Sequence, residues 1–503
     1  MRGGRTALAL AALATLTANR GPVVAIDAGR IEGERIGTGA AFRGIPFAEA
    51  PAGNLRWRDA VAVKPWHGLR PARDFGPACP QNPEGDRPVV PQSEDCLNLN
   101  VLTPNLKARG LPVLVVIHGG AYAFGSNRYV TDQGLSPLLR KGVVLVTLNY
   151  RVGRFGFFAH PALTAEAGHG TGNFWLSDQI LALDWVRRNI ARFGGDHRRV
   201  TILGCSAGGS SVNALMAATV ARGLFRQASA HSGGGLFNAN RPLALAEQQG
   251  LAFAARAGVS GDSADALARL RALTPQLVLA ADPGPPDFGA IVDGRLLRAP
   301  LSVTFARGDQ AHVPYIVGST SNEASVFGLM GFDAAVLRSR FGIDLAALRP
   351  VYEAQYGPLP ETELLRRVQT DFLFTAAALG MGGLASRQAP AWVYHFAYVP
   401  PAERATKPGA SHCADMSYLF GPLPDAAPQS RRIAENLQRY WFNFITTGDP
   451  NSPTLAPWPA TAPGQRRALR IDSASDAQTR FGGQAIAAWL QRWQAETGLA
   501  VDP

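Results

Sequence analysis

The sequence predicts an α/β protein built on a mostly parallel, twisted sheet with helices on both faces. Three observations carry this expectation. Leu111 to His118 (LPVLVVIH) and Gly142 to Tyr150 (GVVLVTLNY) are continuous apolar runs rich in branched residues. Runs without polar alternation belong to strands covered on both sides, as in parallel sheets. Between such runs lie segments with helical periodicity, and alternation of the two is the signature of a doubly wound sheet.

The elements follow in order. Ser177 to Phe193 places Ile180, Leu183, Val186, Ile190 and Phe193 on one helical face, and Gly194-Gly195 ends it. Val200 to Gly204 (VTILG) reads as a short strand and Ala207 to Val220 as the helix behind it. Val313 to Gly318 and Ala391 to Tyr398 read as later strands. Arg431 to Thr447 reads as an amphipathic helix carrying Ile433, Leu437, Trp441 and Phe444. Residues from about 240 to 390 contain few strand runs and read as a helical elaboration over one face. No stretch looks like a linker, so residues 19–503 are expected to form one domain.

Composition narrows the function classes. The 503 residues are 46% hydrophobic and 17% charged, which excludes a disordered chain. The formal net charge is +11, carried mostly by scattered Arg. No basic run with interleaved aromatics accompanies it, so no nucleic-acid partner is expected. Residues 1–18 (MRGGRTALALAALATLTA) have a basic start and an apolar run too short to span a bilayer. They suit a secretory signal peptide, which implies a secreted or periplasmic protein. No later stretch reads as a membrane span, and oligomeric state is not legible. The four cysteines, Cys79, Cys96, Cys205 and Cys413, fit an oxidising compartment but allow three pairings.

Site chemistry begins at Gly204-Cys205-Ser206-Ala207-Gly208. A G-x-S-x-G match alone is weak. Here it falls where a strand meets a helix, the setting in which a sharp turn exposes a nucleophilic serine. His118-Gly119-Gly120-Ala121-Tyr122 directly follows another strand. A glycine-rich bend there can offer fixed backbone N–H groups to the negative charge that builds on a carbonyl oxygen during acyl transfer.

At this point the chain resembles the type-B carboxylesterase family of α/β-hydrolases. The resemblance runs from FRGIPFAEAP (42–51), LRWRDA (55–60) and SEDCLNLNV (93–101) through HGGAYAFGS (118–126), LNYRVGRFGFFAHP (148–161) and GNFWLSDQILALDWVRRNIARFGGD (172–196). It continues through TILGCSAGG (201–209), GSTSNEAS (318–325) and SHCADMSYLFG (411–421) to YWFNFITTGDPN (440–451). It implies the α/β-hydrolase fold, ester hydrolysis without metal or cofactor, and a triad of Ser206, Glu323 and His412. Asp293 and Asp415 are rival acids. It also implies oxyanion donors at Gly120, Ala121 and Ala207, a supporting Ser232, and a structural pairing of Arg151 with Asp178. Tyr122, Phe124, Trp175 and Phe327 are candidates to line an acyl pocket.

Two departures from the family stand out. Its members usually carry Glu before the nucleophile and Gly after the catalytic His; here both are cysteine. If Ser206 and His412 meet, their neighbours meet too, which predicts a Cys205–Cys413 disulfide. That arrangement is similar to tannases and many fungal feruloyl esterases. The resemblance implies the remaining bridge, Cys79–Cys96. Between those two cysteines there is no aromatic residue, and choline ligands need aromatic faces, so cholinesterase activity is not expected. The expected activity is serine ester hydrolysis. Its variants are an aromatic-acid esterase, suggested by the cysteines, and an esterase for a polycarboxylate ester such as a tricarballylate-bearing mycotoxin, suggested by the basic charge. A silent adhesion protein on this fold, like the neuroligins, is the non-enzymatic alternative, and the intact triad argues against it.

Overall fold

The computed structural model describes residues 21–83, 90–128, 136–237, 240–282, 288–425 and 427–501. The expected signal peptide, residues 1–18, lies outside the described residues. An eleven-stranded sheet organises the chain. Its strands are β1 (Glu34–Ile36), β2 (Gly39–Pro46), β3 (Asn98–Thr103), β4 (Leu111–Ile117), β5 (Val144–Leu148), β6 (Gly195–Cys205), β7 (Gln227–His231), β8 (Tyr315–Thr320), β9 (Ala391–Phe396), β10 (Ala468–Ile471) and β11 (Ser475–Gln478). Their spatial order is β11-β10-β9-β8-β7-β6-β4-β5-β3-β2-β1. From β5 across to β10 every pairing is parallel. The strands outside that block pair antiparallel. A separate three-stranded sheet joins Val23–Ile26, Gly29–Glu32 and Leu69–Pro71.

The apolar runs read from sequence are the central strands. Val113 to Ile117 and Val144 to Leu148 have at most 2% exposure, because helices cover both faces. The principal helices are α1 (Phe174–Asn189), α2 (Ala207–Ala217), α3 (Glu361–Thr370), α4 (Ala376–Ala385), α5 (Ala414–Phe420), α6 (Pro428–Thr447) and α7 (Gly483–Thr497). One core lies on the α1, α2 and α4 face. A second, with Tyr394, Trp441 and Phe444, lies under α6. Helix α2 ends three residues before Val220, and a short 3-10 turn takes over at Thr219–Ala221.

The sequence reading did not find the outer strands. β2 (GAAFRGIP) is rich in small residues and has a register shift between Phe42 and Ile45. β3 carries Asn98 and Asn100, which a hydropathy pattern scores as loop. Both are buried: the Asn98 amide donates to Cys96 O, and the Asn100 amide to Thr147 Oγ1. Polar groups are tolerated in a core when their hydrogen bonds are made.

Arg151 and Asp178 meet as the resemblance implies. Arg151, just past β5, has 2% exposure and Asp178, on α1, has none. The guanidinium donates to both carboxylate oxygens, at 2.6 Å from Nη2 and 2.9 Å from Nε, and the Arg151 N–H adds a third bond at 2.9 Å. A buried ion pair is not itself evidence of net stability, but losing one partner strands the other charge. Asp178→Ala is therefore expected to cost about 3–5 kcal/mol of unfolding free energy, read from denaturant melts against Ser177→Ala.

Candidate active site

Three parallel strands end in register: Cys205 lies opposite His231, and His231 opposite Gly318. The residues that follow these strands therefore emerge side by side at the carboxyl edge of the sheet. Ser206 follows β6, Ser232 follows β7, and Glu323 sits on a 3-10 turn (Glu323–Val326) just beyond β8. His412 arrives from further along the chain. Its loop is tied to the Glu323 loop by a parallel bridge between Asn322 and Ser411 and by the Asn322 N–H bond to Ala410 O at 2.9 Å.

Ser206 has φ 61° and ψ −126°. Such a conformation costs a non-glycine residue about 1–3 kcal/mol. Its neighbours make the turn possible. A Cβ at Gly204 would lie 2.4 Å from the Gly208 carbonyl, and one at Gly208 would lie 2.2 Å from Ile117 O. Glycines at both positions let β6, α2 and β4 close on one another. The Ser206 N–H donates to His231 O at 2.9 Å. Seven non-glycine residues with positive φ occur among the described residues. Five of them, Ala121, Tyr122, Ser206, Ser232 and Cys413, belong to these converging segments.

The glycine bend after β4 packs directly on the serine. A Cβ at Gly119 would sit 3.2 Å from Ser206 Cβ and 2.7 Å from Cys205 O. The N–H groups of Gly120, Ala121 and Ala207 make no hydrogen bond to the described residues. The bend is held from below by His118, whose Nδ1 bonds Gly119 O at 2.8 Å while its ring stacks on Tyr150 at 4.3 Å. Burial pushes the His118 imidazole down to about 4, so it stays neutral. From the side, the Gln81 amide exchanges bonds with Gly125, 2.7 Å from Gly125 N and 3.0 Å to Gly125 O, and donates to Cys79 O at 2.9 Å.

Glu323 has no exposure. Its Oε1 accepts from Ser232 Oγ at 2.7 Å and from Thr320 N at 2.6 Å, and its Oε2 bonds Nδ1 of His412. The His412 backbone N–H donates to Ser325 Oγ at 2.9 Å. The rival acids are engaged elsewhere. Asp293 accepts from the Asn173 amide and from the N–H groups of Arg295 and Leu297. Asp415 bonds His231. His412 Nε2 is buried without a partner, so its bond to Ser206 is not closed in this structure. Catalytic hydrogen bonds are often long before substrate binds.

Both bridges form. Cys79 and Cys96 are joined with Cα atoms 4.9 Å apart, and Cys205 and Cys413 with Cα atoms 6.1 Å apart. The second bridge links the residue before Ser206 to the residue after His412.

The aromatic candidates divide. Phe124 is half-buried beside the bend, its ring reaching the place a Gly120 Cβ would take. Phe327 packs on Phe374 at 5.9 Å, and Phe374 meets the His412 ring edge-on at 5.1 Å. Trp175 is a correction. It has no exposure and stacks on Phe157 beneath Tyr122, so it supports the bend from the core rather than lining a pocket. Tyr122 belongs to the same cluster at 7% exposure. Phe374 and His231 were missed. Phe374 lies on a π-helical turn (Asp371–Thr375) that no hydropathy pattern marks. His231 could have been suspected as a histidine at a strand end beside Ser232.

This edge of a parallel sheet, with a strained serine, a glycine bend and a Glu-His pair, defines an α/β-hydrolase of the esterase type. The chain belongs to the Carboxylesterase family, whose profile matches residues 20–350 and 360–489, and it is a carboxylic ester hydrolase. It is 33% identical over 462 residues to the fumonisin B1 esterase of Sphingopyxis macrogoltabida, covering 86% of this chain and 83% of that protein. It is 30% identical over 478 residues to the para-nitrobenzyl esterase of Bacillus subtilis, covering 90% and 95%. A solved PNB esterase structure superimposes with a TM-score of 0.80 at 28% identity, covering 92% of this chain and 98% of that one. No group of three metal-binding side chains occurs among the described residues, and no helix among them is long and apolar enough to cross a membrane.

The Cys205–Cys413 bridge closes a loop of 208 positions. In the chain-entropy picture such a link contributes about 5 kcal/mol. The double variant Cys205→Ser/Cys413→Ser is expected to melt at lower denaturant concentration and to lose most turnover of para-nitrophenyl acetate. Loss of Cys79–Cys96 alone should spare more activity. Equal activity in the double variant and the parent, measured at matched folded fraction, would contradict this.

Proposed function

We propose that Ser206 is the nucleophile, His412 the general base and Glu323 the acid that orients it. The observation that carries this reading is the buried Glu323 carboxylate, held by Ser232 and Thr320 on one oxygen and turned to His412 Nδ1 with the other. That bond fixes the proton on Nδ1 and leaves Nε2 as the basic nitrogen.

In acylation, Ser206 Oγ bonds the ester carbonyl carbon while its proton passes to His412 Nε2. The carbonyl oxygen takes up the negative charge and accepts from the N–H groups of Gly120, Ala121 and Ala207. The tetrahedral adduct collapses, the C–O bond to the alcohol breaks, and His412 returns the proton to the leaving oxygen. Water then repeats the sequence on the acyl-enzyme, releasing the acid and restoring Ser206. Ser232 acts through Glu323 and touches neither reactant.

The substrate reading is a neutral or acidic ester. The net charge of +11 favours anionic over cationic esters. The similarity to an enzyme named fumonisin B1 esterase supports a polycarboxylate ester in particular. We place the activity in an exported, single-domain protein spanning residues 19–503, since two disulfides suit an oxidising compartment.

Ser206→Ala is expected to remove para-nitrophenyl acetate turnover by at least about 10³-fold with an unchanged melting curve. His412→Ala should do the same, and the double variant should be no worse than either. Retained turnover in folded Ser206→Ala overturns the mechanism. For substrate class, kcat/KM is compared between para-nitrophenyl acetate and fumonisin B1. A clear preference for the toxin supports the polycarboxylate reading, and its resistance to hydrolysis rejects it.

A further inference from the structure

A second histidine–carboxylate pair lies behind the first. His231 Nδ1 is 2.6 Å from Asp415 Oδ2, and the Tyr394 hydroxyl donates to the same oxygen at 2.7 Å. On the other side of the ring, the Trp441 indole N–H donates to His231 Nε2 at 3.1 Å and to Ser229 Oγ at 3.0 Å. Ser229 Oγ is itself 2.9 Å from Nε2. All five residues have zero exposure.

Indole nitrogen can only donate. Its N–H is therefore shared between His231 Nε2 and Ser229 Oγ, and the ring is held on both edges. The charge of the network rests on Asp415. Burial works to raise its pKa, but the hydrogen bond and electrostatic attraction of His231, with the bond from Tyr394, outweigh this and hold it below the ordinary carboxylate range.

Each end of the pair is one step from the chemistry. The His231 carbonyl accepts the Ser206 N–H at 2.9 Å. The next residue, Ser232, holds Glu323. Asp415 lies three positions after His412 in the first turn of α5. One buried contact thus joins the segments carrying nucleophile, acid support and base.

We propose that His231 and Asp415 are positioning residues for the esterase reaction. They lock the start of α5 to the end of β7, setting His412 against Ser206, and they keep a fixed negative charge behind the His412 imidazole. That charge favours the imidazolium formed during acylation. The proposal rests on the triad reading above, which Ser206→Ala tests alone.

Other ionisable groups lie on the elements packed around His412. Glu323 faces it from the turn after β8, and Tyr394 stands between β8 and α5. Arg366, on α3, is paired with Glu363 and donates to Ser321 O and Asn322 Oδ1. Asp371, on the turn carrying Phe374, is pushed up to about 7 by burial and accepts from Tyr352. Asp371→Asn is therefore the control for any limb near neutrality.

The test is kcat and KM for para-nitrophenyl acetate across pH in the full-length protein. Asp415→Asn keeps the shape and removes the charge. It is expected to lower kcat by about tenfold or more, to leave KM within about threefold, and to shift the acid limb of kcat/KM downward by about half a pH unit or more. His231→Gln keeps the Asp415 charge. It should lower kcat while moving the limb by less than about 0.2 unit. If Asp415→Asn does not fold, Tyr394→Phe is read instead, with kcat reduced severalfold. The proposal is overturned by folded variants with kcat within about twofold of the parent. It is equally overturned if kcat falls only in step with the folded fraction and the limb stays fixed.

Discussion

A carboxylate with no access to water must have its acceptor sites filled by protein, because leaving them bare costs more than the fold can spare. Glu323 meets that constraint with Thr320 beside it and with groups from two distant parts of the chain, Ser232 after β7 and His412 from the loop before α5. The registration of β6, β7 and β8 follows the same logic, since it brings Ser206 and Ser232 out side by side at the edge where the turn carrying Glu323 begins. The proposed site is thus tied to the satisfaction of one buried carboxyl group at the edge of a parallel sheet.

The central sheet and the turn around Ser206 were legible because both leave local marks. Buried parallel strands are unbroken apolar runs, and the serine turn needs glycines at fixed offsets. The outer strands were not legible. Their polar residues are satisfied by tertiary hydrogen bonds that no local pattern encodes, Asn98 with Pro77 O and the Asn127 amide, and Asn100 with Thr147. For the same reason the roles of His231 and Asp415 escaped notice. Asp415 stood in view beside His412, but its partner is 184 positions away, on β7. Trp175 was misread because an aromatic beside a motif looks alike whether it faces a cavity or the core beneath one.

The two cysteines that replace the family's usual Glu and Gly exchange one kind of tie for another. A carboxylate before the serine would add another negative charge to a site that already holds Glu323 and Asp415. The disulfide at Cys205–Cys413 instead joins the two loops covalently and without charge. Two buried carboxylates on these converging segments each face an imidazole. Glu323 addresses His412, and Asp415 addresses His231.

The bend at Gly119 to Ala121 lies so near Ser206 that no side chain fits between them. The floor of the site is therefore made of main chain, whose amides are the same whatever residue is encoded. Substitution cannot retune that floor; it can only preserve or break it. Divergence in what the enzyme accepts is left to the rim, where side chains such as Phe124 and Phe374 are replaceable. A lineage on this scaffold can change its diet while the chemistry underneath stays still.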